Sequence, residues 1–271
     1  MFIVLKDSVK VSQFSSIMKN LKNFSSDIEI IVDENRLYAQ GMDGSHCCLY
    51  ELVLFKDWFC QYKVDKSYVL GLNCEMLAKV LNCLSNDQFI EMFYDEKKDN
   101  LQMTLKPVEG ESGIIKVFQI PLMDTESELL EIPDSEFSAD VEMISSQFGE
   151  LVNQLSIFGT DFEIKCADNI VITGKGENGC MNAVISEDDI ISYAIEEDTE
   201  LTLTYSGLYI NLITAFSKIN KKVQIHFSED IPMKIQYGMD NFMDNDVSDD
   251  ETDVIQDKNF IRFFLAPKIS D

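Results

Sequence analysis

The chain carries an internal repeat, which constrains the fold more than any other feature because a repeat fixes the architecture. Four segments have apolar residues at positions i, i+3, i+4 and i+7, the spacing of one buried helix face. These stripes are Phe14-Ile17-Met18-Leu21, Leu77-Val80-Leu81-Leu84, Phe148-Leu151-Val152-Leu155 and Tyr209-Leu212-Ile213-Phe216. They predict amphipathic helices over residues 12–24, 74–85, 146–158 and 207–219.

Two predicted strands follow each helix, because two runs with alternating or continuous apolar residues come after each stripe. The first strands are Asp27–Val32, Gln88–Phe93, Asp161–Cys166 and Lys222–Phe227. The second strands are Arg36–Gly41, Asn100–Leu105, Asn169–Gly174 and Pro232–Gly238. A repeated helix with its strands predicts an α+β fold.

Successive stripes begin 63, 71 and 61 residues apart, so the middle interval is the longest. The extra residues fall on Asp124–Phe137, where acidic residues and a proline show neither a helical nor a strand period. We interpret this segment as an exposed, extended crossing. It predicts two similar domains of two repeats each, residues 1–121 and 138–271, joined by a connector loop at residues 122–137.

The charge of the chain is unevenly distributed. With 48 Asp and Glu against 22 Lys and Arg the net charge is −26, which argues against nucleic-acid binding because phosphates attract basic surfaces. The predicted helices would hold about nine acidic residues at the average frequency, but they hold only Glu75 and Glu150. Their lysines occur at the average frequency and are Lys19, Lys22, Lys79 and Lys218.

The other outward positions of these helices are polar and uncharged. They are Ser15, Ser16, Asn20, Asn23, Asn82, Asn153, Gln154, Asn211, Thr214 and Ser217. Such a face suits loose contact with a polyanion, because no base edge is read and few phosphates are held tightly. The alternative interpretation is that these positions are only the solvated backs of helices.

No pattern in the sequence predicts catalysis, a metal site or a cofactor. Neither His46 nor His226 has an acidic residue or a cysteine at metal-ligand spacing, so His226 is interpreted as an ordinary strand residue and His46 as part of the wall of a surface groove. The segment Gly174–Gly179 resembles a phosphate loop but lacks the Gly-Lys-Ser/Thr ending, so it predicts a turn between strands. Abundant carboxylates without a second polar group to tune them are no sign of acid–base chemistry.

The seven cysteines include no CxxC pair and are expected to be free thiols in a reducing compartment. The apolar run Met1–Leu5 is too short for the core of a signal peptide, and no apolar stretch approaches the length that crosses a bilayer. We therefore expect a soluble, intracellular protein that does not bind membranes.

Two motifs carry a resemblance to a known family. They are Leu37-Tyr-Ala-Gln-Gly-Met-Asp-Gly-Ser-His-Cys-Cys-Leu49 and Phe264-Leu-Ala-Pro-Lys-Ile269. The segment from Leu122 through Leu130-Glu-Ile-Pro133 to Phe137 is similar to an interdomain loop of the same family. Over essentially its whole length the chain resembles proliferating cell nuclear antigen, the eukaryotic and viral sliding clamp.

The resemblance implies a DNA clamp fold, with antiparallel sheets outside and helices inside. It implies a homotrimeric ring that encloses duplex DNA without reading its sequence and that acts as a processivity factor in replication and repair. A clamp loader would open the ring, and DNA polymerase, flap nuclease and ligase would dock short peptides with hydrophobic and aromatic anchors. The family further implies a nuclear location, or a viral replication compartment, and no enzymatic activity.

The resemblance also implies where partner peptides bind. The matching groove residues are Met42, His46, Cys47, Leu49, Leu130, Ile132, Pro133, Phe137, Ile231, Pro232, Phe264, Leu265, Ala266, Pro267, Lys268 and Ile269. A shallow apolar groove is suited to aromatic anchors, and an extended tail can offer backbone groups to a peptide.

Subunits of the family join through two edge strands, which match Gly113–Ile120 and Asn178–Ile185. The implied interface residues are Ile114, Ile115, Lys116, Val117, Phe118, Cys180, Met181 and Ala183. Ring closure would cover edges that are otherwise open to aggregation. The same apolar and polar pattern also suits an interior strand of a monomer.

The chain departs from the family on its helices. The expected DNA-facing residues are Lys19, Lys22, Lys79, Asn82, Asn153, Lys218 and Lys221. On the third helix Glu150 and Asn153 match basic residues of the family, and on the fourth Ala215 replaces a lysine. We therefore expect weaker or differently distributed DNA contact.

Two further departures lie outside the helices. An acidic insertion at about residues 239–258 stands where the family has a shorter turn, and its composition predicts a solvated loop. Cys166-Ala167 is followed by Asp168 rather than by the family's modification lysine, so that regulation is not transferred. A specialised or heteromeric clamp, and an acidic interaction scaffold that encloses no DNA, remain alternative functions.

Overall fold

The computed structural model describes residues 1–125, 129–133, 135–239 and 258–268. Within these ranges the chain forms two compact units. The first comprises Met1–Gly44, Glu51–Leu129 and residues 258–260, and the second comprises Ser45–Tyr50 and residues 130–239 and 261–268. The predicted domain boundaries stay a prediction. Most of the acidic insertion, connector residues 126–128 and 134, and Ile269 lie outside the described residues.

The first unit contains two helices and two antiparallel sheets. Its elements are β1 Phe2–Leu5, α1 Ser8–Leu21, β2 Asp27–Val32, β3 Arg36–Met42, the part of β4 Cys48–Phe55 that begins at Glu51, β5 Gln61–Lys63, β6 Tyr68–Asn73, α2 Cys74–Leu81, β7 Gln88–Tyr94, β8 Asn100–Pro107 and β9 Lys116–Pro121. One sheet has the strand order β5-β1-β7-β8-β9. In the other sheet β2 pairs with both β3 and β6. Helices α1 and α2 pack against each other.

The second unit likewise contains two helices and two antiparallel sheets. Its elements are β10 Ala139–Ile144, α3 Ser145–Leu155, β11 Asp161–Cys166, β12 Ile170–Gly176, β13 Gly179–Ile185, β14 Ser192–Ile195, β15 Leu201–Ser206, α4 Gly207–Thr214, β16 Lys222–Phe227, β17 Met233–Gly238 and β18 Phe260–Leu265. One sheet has the order β13-β12-β11-β15. In the other, β10 pairs with β14 and β16, and β16 pairs with β17. Helices α3 and α4 pack together.

The predicted fourfold repeat is confirmed. Each of the four helices is followed by an antiparallel hairpin, namely β2–β3, β7–β8, β11–β12 or β16–β17. The apolar stripe of α1 is fully buried, since Phe14, Ile17, Met18 and Leu21 are at most 1% exposed. The period of the stripe therefore identified the face that packs on the sheets, and the α+β prediction is correct.

The helix ends differ from the prediction. Helix α1 begins at Ser8 rather than at residue 12, because the Asp7 carboxylate caps it by accepting a hydrogen bond from the Lys10 amide at 2.9 Å. Helix α4 ends at Thr214, after which the Phe216 amide bonds the Ile213 carbonyl at 3.1 Å in a tighter turn. Such turns satisfy the last carbonyls of a helix without extending it.

Two predicted outward positions are wrong. Ser15 on α1 is 3% exposed and Thr214 on α4 is 7% exposed. Thr214 faces α3, where its Cβ lies 3.9 Å from the Cβ position that a side chain at Gly149 would occupy. Sequence spacing alone did not distinguish these two buried polar residues from solvated ones.

The fourth stripe is correct at two of its four positions, since Ile213 and Phe216 are buried. Tyr209 and Leu212 are only half-buried, and Ile210 is buried in addition. The segment Gly174–Gly179 forms the predicted turn between strands, with Gly176 paired to Gly179 across the β12–β13 hairpin. The phosphate-loop alternative is therefore excluded for this segment.

Candidate partner-binding groove, helix faces and sheet edges

The loop before β4 and the tail after β18 meet in the second unit. His46 is exposed and adopts a left-handed backbone conformation, with φ of 58°. The carbonyl of Cys47 accepts a hydrogen bond from the Ala266 amide at 2.9 Å. Two of the segments that the sequence predicted for the groove are therefore joined directly. Met42 ends β3 in the first unit.

The tail is held at a second point. The Lys268 amide donates to the Thr204 carbonyl at 2.7 Å, and the Lys268 ammonium lies 2.6 Å from the Asp161 carboxylate. Pro267 between them has no N–H group. The backbone donors of the tail at 266 and 268 are thus used within the unit, so the tail forms a fixed, extended wall.

The side chains of the tail strand alternate between core and surface. Leu265 is 1% exposed and belongs to the core, although the sequence placed it in the groove. Phe264 is half-buried, and the Arg262 guanidinium lies 5.3 Å from the centre of its ring. Ile231 and Pro232 directly precede β17. Ile231 is half-buried, and Pro232 is exposed.

The end of the connector is anchored on β16 and β17. The Phe137 ring lies 5.2 Å from the His226 ring, and the Lys234 ammonium lies 4.8 Å from the centre of the Phe137 ring. His226 Nδ1 contacts the Asp140 carboxylate. The sequence predicts only an ordinary strand residue at His226, and no signal in it links His226 to Asp140, 86 positions away.

The connector residues before this anchor present apolar surface. Leu130 is 46% exposed, Ile132 is half-buried and Pro133 is exposed. Apolar side chains left at the surface in this way mark sites that bind other molecules when they are contiguous. Leu49, half-buried on β4, belongs to the same unit.

The start of the connector is held in the first unit. The Met123 amide donates to the Gly71 carbonyl at 3.0 Å, and the Thr125 hydroxyl bonds the Glu29 carboxylate at 2.5 Å. Gly71 is required here, because a Cβ atom would lie 2.2 Å from the Met123 carbonyl oxygen. Sequence reasoning missed Gly71, since an isolated glycine in a strand does not reveal what approaches it.

The lysines of the helix faces are accessible. Lys22, Lys79, Lys218 and Lys221 are exposed and Lys19 is half-buried. Lys79 is paired with Glu75 at 3.1 Å on the same helix, which cancels its charge. For the other four lysines, no carboxylate of the described residues lies within ion-pair distance.

The polar positions of these helices behave as predicted on the second and third helices. Asn82 follows α2 and is exposed, and Asn153 on α3 is exposed as well. Glu150, one turn before Asn153, is also exposed. The third helix therefore carries a negative charge, whereas the first carries Lys19 and is followed by Lys22.

Strand β9 is an edge strand of one sheet of the first unit, and β13 is an edge strand of one sheet of the second. Ile114 and Ile115 precede β9 and are 76% and 58% exposed, and Val117 on the strand is 58% exposed. On β13 Cys180 is exposed, while Met181 and Ala183 are half-buried. Both predicted interface segments thus carry apolar side chains at an edge of the described sheet.

Lys116 orders the start of β9. Its ammonium contacts the Cys83 carbonyl and lies 3.2 Å from both the Ser85 hydroxyl and the Gln88 carboxamide oxygen. Gln88 in turn donates to the Ile114 carbonyl at 2.8 Å. This network ties the start of the edge strand, which pairs with β8, to Gln88 on β7 and to the residues after α2. Phe118 on β9 is half-buried.

The cysteines show no sign of reactivity in the buried positions. All seven are free thiols. Burial raises the pKa of the Cys166 thiol to about 12, so the thiol stays protonated at neutral pH. The adjacent loop is fixed because the Tyr193 hydroxyl donates to the Ala167 carbonyl at 2.7 Å.

Across the described part of the chain, no helix is long and apolar enough to cross a membrane.

Two α+β units, each built from two copies of one helix-and-hairpin repeat, define the class of DNA sliding clamps. Comparison with known families gives the same result. The profile of the N-terminal domain of proliferating cell nuclear antigen matches residues 7–129, and that of its C-terminal domain matches residues 131–247. The chain belongs to the proliferating cell nuclear antigen family.

Members of this family are non-enzymatic sliding clamps, and the chain is accordingly a clamp of the replication and repair machinery rather than an enzyme. Clamps of the family act as processivity factors, bind DNA and partner proteins, and form trimers, and a nuclear location is typical of them.

The contact at Gly71 predicts a specific sensitivity of the connector. We expect Gly71→Ala to push Met123 and Thr125 away from β6 and to lower the free energy of unfolding by about 1–3 kcal/mol. A protease specific for glutamate reports the release, because the connector offers Glu126, Glu128, Glu131 and Glu136. Cleavage there should accelerate.

Gly44→Ala is the matched control, because no atom lies within 4 Å of the added methyl group. It should leave cleavage of the connector at the wild-type rate. Equal cleavage rates and equal denaturation midpoints for Gly71→Ala and the wild type would show that Gly71 does not hold the connector.

Proposed function

We propose that the chain closes into a homotrimeric ring around duplex DNA and tethers replication and repair proteins through the groove of its second unit. The observation that carries the proposal is the scarcity of acidic residues on the helices of a chain with a net charge of −26. The four helices hold only Glu75 and Glu150, and Glu75 is paired with Lys79.

Such helices suit a surface that lies along DNA without gripping it. Each phosphate contact adds affinity that depends on salt, and a surface with many such contacts binds one place tightly. Here Lys19, Lys22, Lys218 and Lys221 supply a few unpaired positive charges among polar neighbours. Retention would come from enclosure, and the weak contact would allow sliding.

The two sheet edges support ring closure. An exposed, apolar edge strand is a liability in a monomer, since it can pair with other chains. Because β9 and β13 belong to different units, pairing between them joins different surfaces of successive copies. Contacts of this kind generate rings when the rotation between copies closes, as in a trimer.

The groove supports partner docking by peptides with aromatic anchors. Leu130, Ile132, Pro133 and Pro232 leave apolar surface open, and the tail provides a fixed wall. Large aromatic side chains gain most of their binding energy in such apolar sites. DNA polymerase, flap nuclease, ligase and clamp loader are the proposed partners, in the nucleus or in a viral replication compartment.

A heteromeric or specialised ring is the second candidate. It is favoured by the third and fourth helices, where Glu150, Asn153 and Ala215 occupy positions that are basic in the family. In a heteromeric ring another subunit would supply the missing positive charge. Preferential assembly with a second clamp chain, measured by native mass spectrometry of a mixture, distinguishes this candidate from the homotrimer.

Retention on circular DNA tests enclosure directly. After loading by a clamp loader, we expect the wild type to stay on a nicked circle and to leave when the circle is cut. Val117→Asp should abolish retention and shift the trimer to monomer in size measurements, because it places a charge in the proposed contact.

Val69→Asp is the matched control, since Val69 on β6 is 57% exposed and Val117 is 58% exposed. It should be retained like the wild type. A wild-type chain that is monomeric at micromolar concentration over a range of salt, or that leaves circles as fast as linear DNA, contradicts enclosure and favours an acidic interaction scaffold.

We expect that shortening an apolar side chain of the groove weakens peptide binding. Ile132→Ser should weaken binding of a peptide with one aliphatic and two aromatic anchors by about 5- to 30-fold, since apolar contact area is lost. Isothermal titration calorimetry measures the change. Ile157→Ser, at an exposed isoleucine after α3, should bind normally; equal weakening by both variants would place the site elsewhere.

Reversing the negative charge on the third helix should raise the affinity of the chain for DNA. Glu150→Lys should strengthen binding to a short linear duplex and steepen the logarithmic salt dependence by about 0.9 for each additional phosphate that the helix neutralises. Fluorescence anisotropy measures the affinity for the duplex at salt concentrations from about 20 to about 200 mM. Glu187→Lys makes the same charge change outside the helix faces; an equal effect would show that only net charge matters.

A further inference from the structure

Three residues on adjacent strands form a row in the second unit. Asp140 on β10 stands opposite His226 on β16, and His226 stands opposite Lys234 on β17. Residues in register across neighbouring strands project on the same face of a sheet. The row therefore places an acid, an imidazole and an ammonium group side by side.

The end of the connector rests on this row. Phe137 comes two residues before β10, and its ring contacts both His226 and Lys234. The side chain of His226 is only 17% exposed, and its Nδ1 atom faces Asp140, whose side chain is 55% exposed. In the described residues, the buried Nε2 atom of His226 has no hydrogen-bond partner. The imidazole is thus enclosed between a carboxylate and an aromatic ring.

Protonation changes both contacts in the same direction. Imidazole is the side chain that ordinarily changes charge between pH 5 and 8. An imidazolium ion forms an ion pair with Asp140, whereas neutral imidazole forms only a hydrogen bond. A cation is also attracted to the face of an aromatic ring, so charged His226 holds Phe137 more strongly than neutral His226 does.

The other charged groups do not reverse this direction. Those on the elements around His226 are Asp140 and Glu142 on β10, Lys222 on β16, Lys234 on β17, Glu229 and Asp230 in the turn between β16 and β17, and Glu136 in the connector. Glu136, Glu229 and Asp230 are negative and so favour the charged imidazole. Glu142 and Lys222 offset each other, as they lie 3.6 Å apart. Lys234 opposes a second positive charge, but its ammonium is engaged with the Phe137 ring, whereas Asp140 contacts the imidazole directly.

We propose that His226 is a positioning residue whose protonation fixes Phe137 at the end of the connector, so that the groove binds aromatic-anchored peptides more tightly as the pH falls from 8 to 6. The inference rests on the proposed function, because Phe137 matters only if the connector walls the groove. A wall that is ordered before binding lowers the entropy cost of association. The expected gain in affinity is about two- to fivefold.

The experiment uses the full chain with a single histidine. The sequence has two, and His46→Asn removes the other while keeping a residue that tolerates the left-handed backbone at that position. An acetylated and amidated peptide with one aliphatic and two aromatic anchors, lysines for solubility and no histidine or acidic residue serves as the probe. Its charge is constant between pH 6 and 8, and calorimetry at both values measures its affinity.

Two further variants in the same background isolate the row. His226→Gln should abolish the pH dependence, and Asp140→Asn should reduce it while the imidazole remains. Nuclear magnetic resonance of phenylalanine-labelled protein, with Phe137→Leu to identify the signal, should show the Phe137 ring titrating together with the His226 imidazole.

The outcomes separate the two proposals. Equal peptide affinity at pH 6 and 8 in the single-histidine chain, or the same pH dependence in His226→Gln, overturns the role of His226 and leaves the groove intact. Failure of the peptide to bind the unsubstituted chain at either pH overturns the groove, and the role of His226 in peptide affinity falls with it. Loss of the pH response in His226→Gln together with joint titration of both rings supports the proposal.

Discussion

Burial of one apolar helix face against an antiparallel hairpin is the interaction on which the rest of the structure depends. Each fully buried large apolar side chain stabilises the fold by about 1.5–3 kcal/mol, and in α1 four such residues are at most 1% exposed. A single helix and hairpin cannot cover the remaining apolar surface. Packing of α1 on α2, and of α3 on α4, places two repeats in each compact unit.

The repeat was predictable from sequence because burial leaves a period in the chain, and the first strands of all four hairpins match the observed bounds to within one residue. Contacts that depend on distant residues left no period. Ser15 is buried although its position in the helical period predicts exposure, and position 71 must be glycine because the carbonyl of Met123 in the connector lies against it. The pairing of His226 with Asp140 arises only from strand register.

In the candidate groove, too, some features follow from the sequence and others only from the structure. Family resemblance supplied its residues, and the structure adds the backbone contacts that hold them, such as those of Ala266 and Lys268. It also shows that Leu265 supports the tail from the core rather than from the surface. Sequence alone could not assign this role, since an alternating strand reveals which residues share a face but not which face meets the core.

The fixed tail has a consequence for how partners would be distinguished. Because the amides of Ala266 and Lys268 are already bonded to Cys47 and Thr204, an incoming peptide gains no backbone donors from them. Discrimination between ligands would then rest on side-chain anchors, and differences among related complexes lie mostly in their dissociation rates.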